Sequence, residues 1–185
     1  VGDVISFFES RKKDLQEYPI VWLYYDLIRV LSDEKNTTYF NKFYNRIISE
    51  ASKISSNEAA LLFQHAANYS IRKINGGKAE YLVKLLEIFK LQDELNLLVQ
   101  NGQMHDRTLK NIIEVANKLN EQSWAESFLN RNIEFIKAEN KEMIYDYNLA
   151  NILFSKGSYK EALRKLTFVN IKVPFYQIAS RILVI

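Results

Sequence analysis

The chain has 185 residues, 48% of them hydrophobic and 13% aromatic, and a net charge of +3 at pH 7. That apolar content excludes intrinsic disorder, and the length suffices for one sizeable core or a short array of repeats. Five glycines and two prolines supply too few tight turns for an all-β fold, and the absence of cysteine excludes a disulfide framework, thiolate metal ligation and a cysteine nucleophile.

The longest apolar run, Ile20 to Tyr25, is far too short to cross a bilayer, so no membrane span is expected. No signal-peptide pattern opens the chain, although Val1 leaves room for a removed leader, and a cytoplasmic location is the default expectation. His65 and His105 stand far apart, so no histidine-rich metal site is expected.

Apolar residues recur at three- and four-residue spacing along almost the whole chain, which predicts an all-α fold. In chain order the expected helices are 3–16, 19–31, 38–53, 56–74, 78–100, 105–119, 123–139, 141–156, 158–169 and 174–185, with a break in the fifth near Gln92 to Glu94. Pro19 and Pro174 suit the first helical position, where no N–H is required. Ser55 with Glu58, Ser123 with Glu126 and Ser158 with Glu161 fit a capping box, in which hydroxyl and carboxylate satisfy orphan N–H groups. "NGG" at 75–77 and "NG" at 101–102 are expected helix stops, because glycine reaches the left-handed conformation cheaply. No long linker appears, and a single domain over 1–185 is expected.

The stretch "YNLANILFSKGSYKEALRKL", 147–166, carries a helical rhythm broken once, at Gly157. Glycine there lets two antiparallel helices reverse, with Ser158 starting the second. Segment 143–176 resembles the 34-residue tetratricopeptide repeat: Leu149, Ala150, Leu153, Gly157, Tyr159, Ala162, Leu166 and Pro174 fall in its register. Small Ala150 and Ala162 would let the helices approach, and Leu149, Leu153, Tyr159 and Leu166 would fill the seam. A looser copy spans about 105–142, with capping serines 35 residues apart. The succession "AANYSIRKINGG", "NII", "WAESFL", "YNLANILFSKGSYKEALRKL" and "FYQIASRILVI" is also similar to a group of uncharacterised bacterial helical-repeat proteins, usually longer. That resemblance implies a degenerate right-handed superhelix of paired helices and a chain that is part of a longer one; it implies no activity, cofactor or catalytic residue. A compact non-repetitive helical bundle is the alternative architecture.

Several features invite a chemical reading. Trp22, Tyr24 and Tyr25 read as core rather than as a stacking platform. His65, Asn68, Tyr69 and Arg72 share a helix face, as a polar binding stripe or as an ordinary helix–helix contact. "NGGK" at 75–78 lacks the first glycine and the final hydroxyl of a phosphate loop and reads as a helix stop. Asp93, Glu94, Glu139, Glu142 and Asp146 read as solvated helix faces rather than acid–base pairs. In the tetratricopeptide pattern the first helix of each pair lines a concave groove. Asn148, Asn151 and Ser155 are therefore expected there, able to hydrogen-bond an extended peptide backbone or a terminal carboxylate, with plain solvent exposure as the alternative.

Residues 151–185 hold Lys156, Lys160, Arg164, Lys165, Lys172 and Arg181 against Glu161 alone, a balance of +5. This basic pole is a candidate anion contact, although the total charge is too small to imply nucleic acid. After Pro174, Ile178, Ile182, Leu183 and Ile185 form an apolar face without a second helix, so self-association or a continuing chain is expected. The expected function is a non-enzymatic scaffold binding a protein or peptide, without cofactor. A binder of an anionic partner through the basic end is the second reading, and an enzyme of unrecognised type the third.

Overall fold

The computed structural model describes residues 2–11, 13–15, 17–136 and 141–167. Among them lie nine α-helices and no β-strand, apart from two isolated bridges, Gln100 with Gln103 and Met104 with Ile136. The tenth expected helix, 174–185, lies outside the described residues. The backbone forms two compact units, Val1–Leu98 and Val99–Ile185, and each is taken by itself.

The first unit contains α1 (Gly2–Ser10), α2 (Pro19–Ser32), α3 (Thr37–Glu50), α4 (Ser56–Asn75) and α5 (Tyr81–Glu94), with a 3₁₀ turn at Ala51–Lys53. Pro19 opens α2 as expected. Asn36 caps α3, its Oδ1 accepting the Thr38 N–H at 3.1 Å, and the Ser55 hydroxyl caps α4 by accepting the Glu58 N–H at 3.4 Å. The buried stripes follow the helical period. On α3 they are Phe40, Phe43, Tyr44 and Ile47; on α4, Ala59, Leu62, Phe63 and Ala66. The fullest packing is between α2 and α3 and between α4 and α5, and α4 also rests on both α2 and α3. Phe40 sits at the centre, stacked on Tyr69 with ring centroids 3.9 Å apart.

The second unit contains α6 (Asp106–Lys118), α7 (Gln122–Asn132), a 3₁₀ turn at Ile133–Phe135, α8 (Lys141–Ser155) and α9 (Tyr159–Thr167). Leu109, Ile112, Ile113 and Ala116 give α6 a fully buried stripe at three- and four-residue spacing. Here too the pairs α6–α7 and α8–α9 pack most fully, and α8 rests on both α6 and α7. Ala150 and Ala162 are buried where α8 meets α9, as their size suggested.

Four helices stop by one device. A residue of positive φ follows the helix, its N–H bonds three residues back and the next N–H five back. At Gly157 (φ +79°) these bonds run from Gly157 to Phe154 at 2.9 Å and from Ser158 to Leu153 at 2.9 Å. Gly77 repeats the arrangement after α4, and asparagines do the same work at Asn96 (φ 55°) and Asn120 (φ 59°). The fifth helix therefore ends at Glu94, at the break expected near Gln92 to Glu94, with no helix resuming before residue 100, so "NG" at 101–102 is not a helix stop but the turn inside the Gln100–Gln103 bridge.

Two local expectations are corrected. Ser123 does not cap α7. Asn120 reverses the chain and the Glu121 N–H is already bonded to Ala116 at 2.9 Å, so the helix opens at Gln122 and Ser123 lies within it. Tyr159 does not fill the α8–α9 seam: it is 62% exposed and meets the partly exposed Phe154 edge-on, at 5.1 Å.

Candidate functional site

The first unit holds a cavity of about 760 Å³ bounded by α1, α2 and α3. It is built around an acid on the buried side of α2. Asp26 occupies the helical stripe between Leu23 and Val30 and is only 2% exposed. A buried carboxylate requires partners, and α3 supplies them: Arg46 donates from Nε to Asp26 Oδ2 at 2.6 Å, and Lys42 stands 4.0 Å from the other oxygen. The Arg46 guanidinium lies 5.7 Å from the Trp22 ring centroid.

On the opposite wall, Arg29 stacks over Tyr39 at 4.4 Å and donates to its hydroxyl at 2.5 Å. Glu9, from α1, accepts from the Tyr25 hydroxyl at 3.0 Å and pairs with Arg29 at 3.4 Å. Burial, and then the bond to Glu9, push the Tyr25 phenol above its ordinary value, so it stays a neutral donor. Trp22 and Tyr25 are buried core residues, as read from the sequence, and they also form the apolar floor of this cavity. The cavity itself was missed. Its signal is one acid on an apolar stripe, which by spacing alone could have been placed on a solvated face.

In the second unit, Asn148, Asn151 and Ser155 do share one face of α8. Asn148 is fully buried and donates from Nδ2 to the Ile144 carbonyl at 2.7 Å, Asn151 is half-buried, and Ser155 is exposed. Ser155 Oγ accepts from Gln122 Nε2 at 3.0 Å and lies 3.5 Å from the Asn117 carbonyl at the end of α6. Among the described residues, three amide atoms here are buried without a hydrogen-bond partner: Asn117 Oδ1, Asn148 Oδ1 and Asn151 Nδ2.

The stripe on α4 divides. Asn68 is exposed and His65 half-buried, while Arg72 is committed to Glu34 at 2.9 Å. Lys73 and the Tyr69 hydroxyl donate to the Glu34 carbonyl at 3.0 and 3.1 Å, so the end of α4 clamps the α2–α3 loop. In the basic pole, Lys156 pairs with Glu126 at 2.5 Å and Lys165 with Asp146 at 2.8 Å, whereas Lys160 and Arg164 are exposed on α9. Two of the four cations expected to meet an anion are thus held by acids of neighbouring helices. Lys172, Arg181 and the apolar face at Ile178, Ile182, Leu183 and Ile185 lie outside the described residues.

Among the described residues no group of three or more His, Asp or Glu gathers as a metal site, and no helix is long and apolar enough to cross a membrane. No family model, curated protein or solved structure matches the chain. What the two arrangements can do is bind. One presents cations over aromatic rings; the other presents unsatisfied amides between α6 and α8.

Proposed function

We propose that the chain is a non-enzymatic scaffold of tetratricopeptide-like helix pairs, a right-handed superhelical array whose first helices line a groove for an extended peptide or protein segment. The observation that carries this reading is the stacking relation found in each unit. The first helix of the second pair packs on both helices of the pair before it, α4 on α2 and α3, and α8 on α6 and α7. Helix pairs added in one fixed relation generate an extended surface, which suits recognition of a chain rather than of a small reactant.

The α6–α8 interface is the proposed contact. An unsatisfied buried amide atom costs about 1–3 kcal/mol, and a partner that satisfies it recovers that cost. Asn148 offers an acceptor and Asn151 a donor, three residues apart on α8. Both atoms are enclosed in the unliganded chain, so an extended backbone supplies the complementary N–H and C=O as α6 and α8 part at the exposed Ser155.

A peptide-display selection against the full chain tests this, followed by Asn148→Leu and Asn151→Leu. Asn148 Oδ1 and Asn151 Nδ2 have no partner to lose, and the Asn148 Nδ2 bond runs only back to the Ile144 carbonyl of its own helix, so an apolar group of similar size at either position is close to neutral for stability. Selected peptides should therefore bind both variants at least about tenfold more weakly, the equivalent of one lost bond to a polar group, with melting temperatures unchanged or raised. Failure to select any peptide, or peptides that bind the variants as well as the parent, would overturn the proposal.

A further inference from the structure

The cavity at Asp26 belongs to a different part of the molecule from the proposed peptide contact, and its chemistry is different. We propose that it binds a single carboxylate carried on an apolar body.

Charge fixes the anion. Among the described residues, Arg29, Lys42 and Arg46 face the cavity against Glu9 and Asp26, a balance of +1. One carboxylate neutralises that excess, whereas a phosphate dianion would overshoot it and meet Glu9. The donors are available. Among the described residues, the hydrogen bond made by the Arg46 guanidinium is the one from Nε to Asp26, which leaves its terminal nitrogens to offer a fork to a carboxylate. Among the described residues, the ion pair of Lys42 is the 4.0 Å contact with Asp26, and its side chain is 60% exposed. Asp26 acts here as a positioning residue: buried and bonded from one side, it holds Arg46 and draws Lys42 toward the same point. Glu9 already shows how the walls treat such a group, since its carboxylate sits between the Tyr25 hydroxyl and Arg29. The floor of Trp22 and Tyr25 accepts the apolar body, and about 760 Å³ falls within the size of small-ligand sites, ~300–1,000 Å³.

The test uses the full chain carrying Trp124→Phe, which leaves Trp22 as the only tryptophan and therefore as a fluorescence reporter on the cavity floor. Phenylacetate should give a saturable change that weakens with salt. Phenylacetamide, which lacks the charge, should bind about tenfold more weakly or worse, and phenyl phosphate no more tightly than phenylacetate. Lys42→Gln and Arg46→Gln should each weaken phenylacetate by about tenfold, the loss of one charge-assisted bond. Glu9→Gln should tighten it severalfold, because the cavity then carries +2. Lys42 is exposed, so its variant stays interpretable even if Arg46→Gln unfolds around the orphaned Asp26. An N-acetylated tripeptide ending in a free phenylalanine carboxylate, bound as tightly as phenylacetate or more so, assigns the carboxylate to a polypeptide. Weaker binding of it assigns a free small acid, and either supports the site. Equal binding of acid and amide, or Lys42→Gln and Glu9→Gln without opposite effects, would overturn it. Peptide selection succeeding while phenylacetate fails removes the cavity and leaves the scaffold reading standing; the reverse result does the opposite.

Discussion

Replacing Phe40 probes the core of the first unit most directly. The ring is fully enclosed and meets aromatic side chains from three helices: Tyr44 on its own α3 at 6.0 Å, Tyr69 of α4 at 3.9 Å and nearly parallel, and Tyr81 of α5 at 5.7 Å. Truncating a buried phenylalanine to alanine costs about 3–5 kcal/mol, depending on how far the site collapses. Rings held on three helices cannot close on the gap together, so Phe40→Ala belongs near the upper end, about 4–5 kcal/mol. Since domains are stable by only about 5–15 kcal/mol, that variant sits close to unfolding. Phe40→Leu is the measurable companion. It keeps most of the apolar volume and loses the stacking, at a cost of about 1–2 kcal/mol. Urea unfolding followed by circular dichroism should show the midpoint fall with the slope unchanged. A double-mutant cycle with Tyr69→Leu should return a coupling of about 0.5–1.5 kcal/mol for the stacked pair. A Phe40→Leu midpoint equal to the parent's, or a coupling of zero, would refute the packing described.

Ala162, buried where α9 meets α8, should not accept extra methylenes: Ala162→Leu is expected to cost about 1–3 kcal/mol by thermal unfolding. Burial raises the phenols of Tyr25, Tyr44, Tyr69 and Tyr81 above their unfolded value of 10.0. The folded state then holds these protons more tightly than the unfolded one, so their contribution is complete below pH 10 and is lost as pH rises through the folded values. An alkaline titration of tyrosinate absorbance should show them ionising late and together with unfolding; four ordinary, non-cooperative titrations would contradict this. With Lys156 and Lys165 already paired to Glu126 and Asp146, the chain should show no salt-resistant retention on heparin, and strong retention would revive the basic end as a polyanion site.

The parts of the structure legible in the sequence are those set by local physics. Leu109, Ile112, Ile113 and Ala116 announce α6 through spacing alone, and Gly157 and Gly77 announce reversals because a Cβ disfavours their φ. Asn96 and Asn120 were not read as stops, since asparagine tolerates the same conformation without demanding it. That is why the spacing alone predicts helix beyond the break near Gln92 to Glu94 and a cap at Ser123. Asn148, Asn151 and Ser155 do fall on one face of α8, but only the fold shows that Ser155 meets Asn117 of α6 and that Asn148 Oδ1 and Asn151 Nδ2 lack partners among the described residues. The cavity was the least legible feature, because three helices must meet before Glu9, Asp26 and Arg46 face one space.

The pairing of neighbours has a consequence for how the chain acquires its shape. Because each helix packs most fully on the one beside it in sequence, closing a pair loses little loop entropy, and helical folds with such local contacts form in microseconds to milliseconds. Ribosomes add about 5–20 residues per second, so each residue takes tens of milliseconds or longer to arrive. Once α7 has cleared the exit tunnel, it can dock on α6 before the whole of α8 has emerged from it. Each completed pair then presents α8, or α4 in the first unit, with a finished surface on arrival. The chain can thus be built vectorially, with little time for its apolar faces to meet other nascent chains.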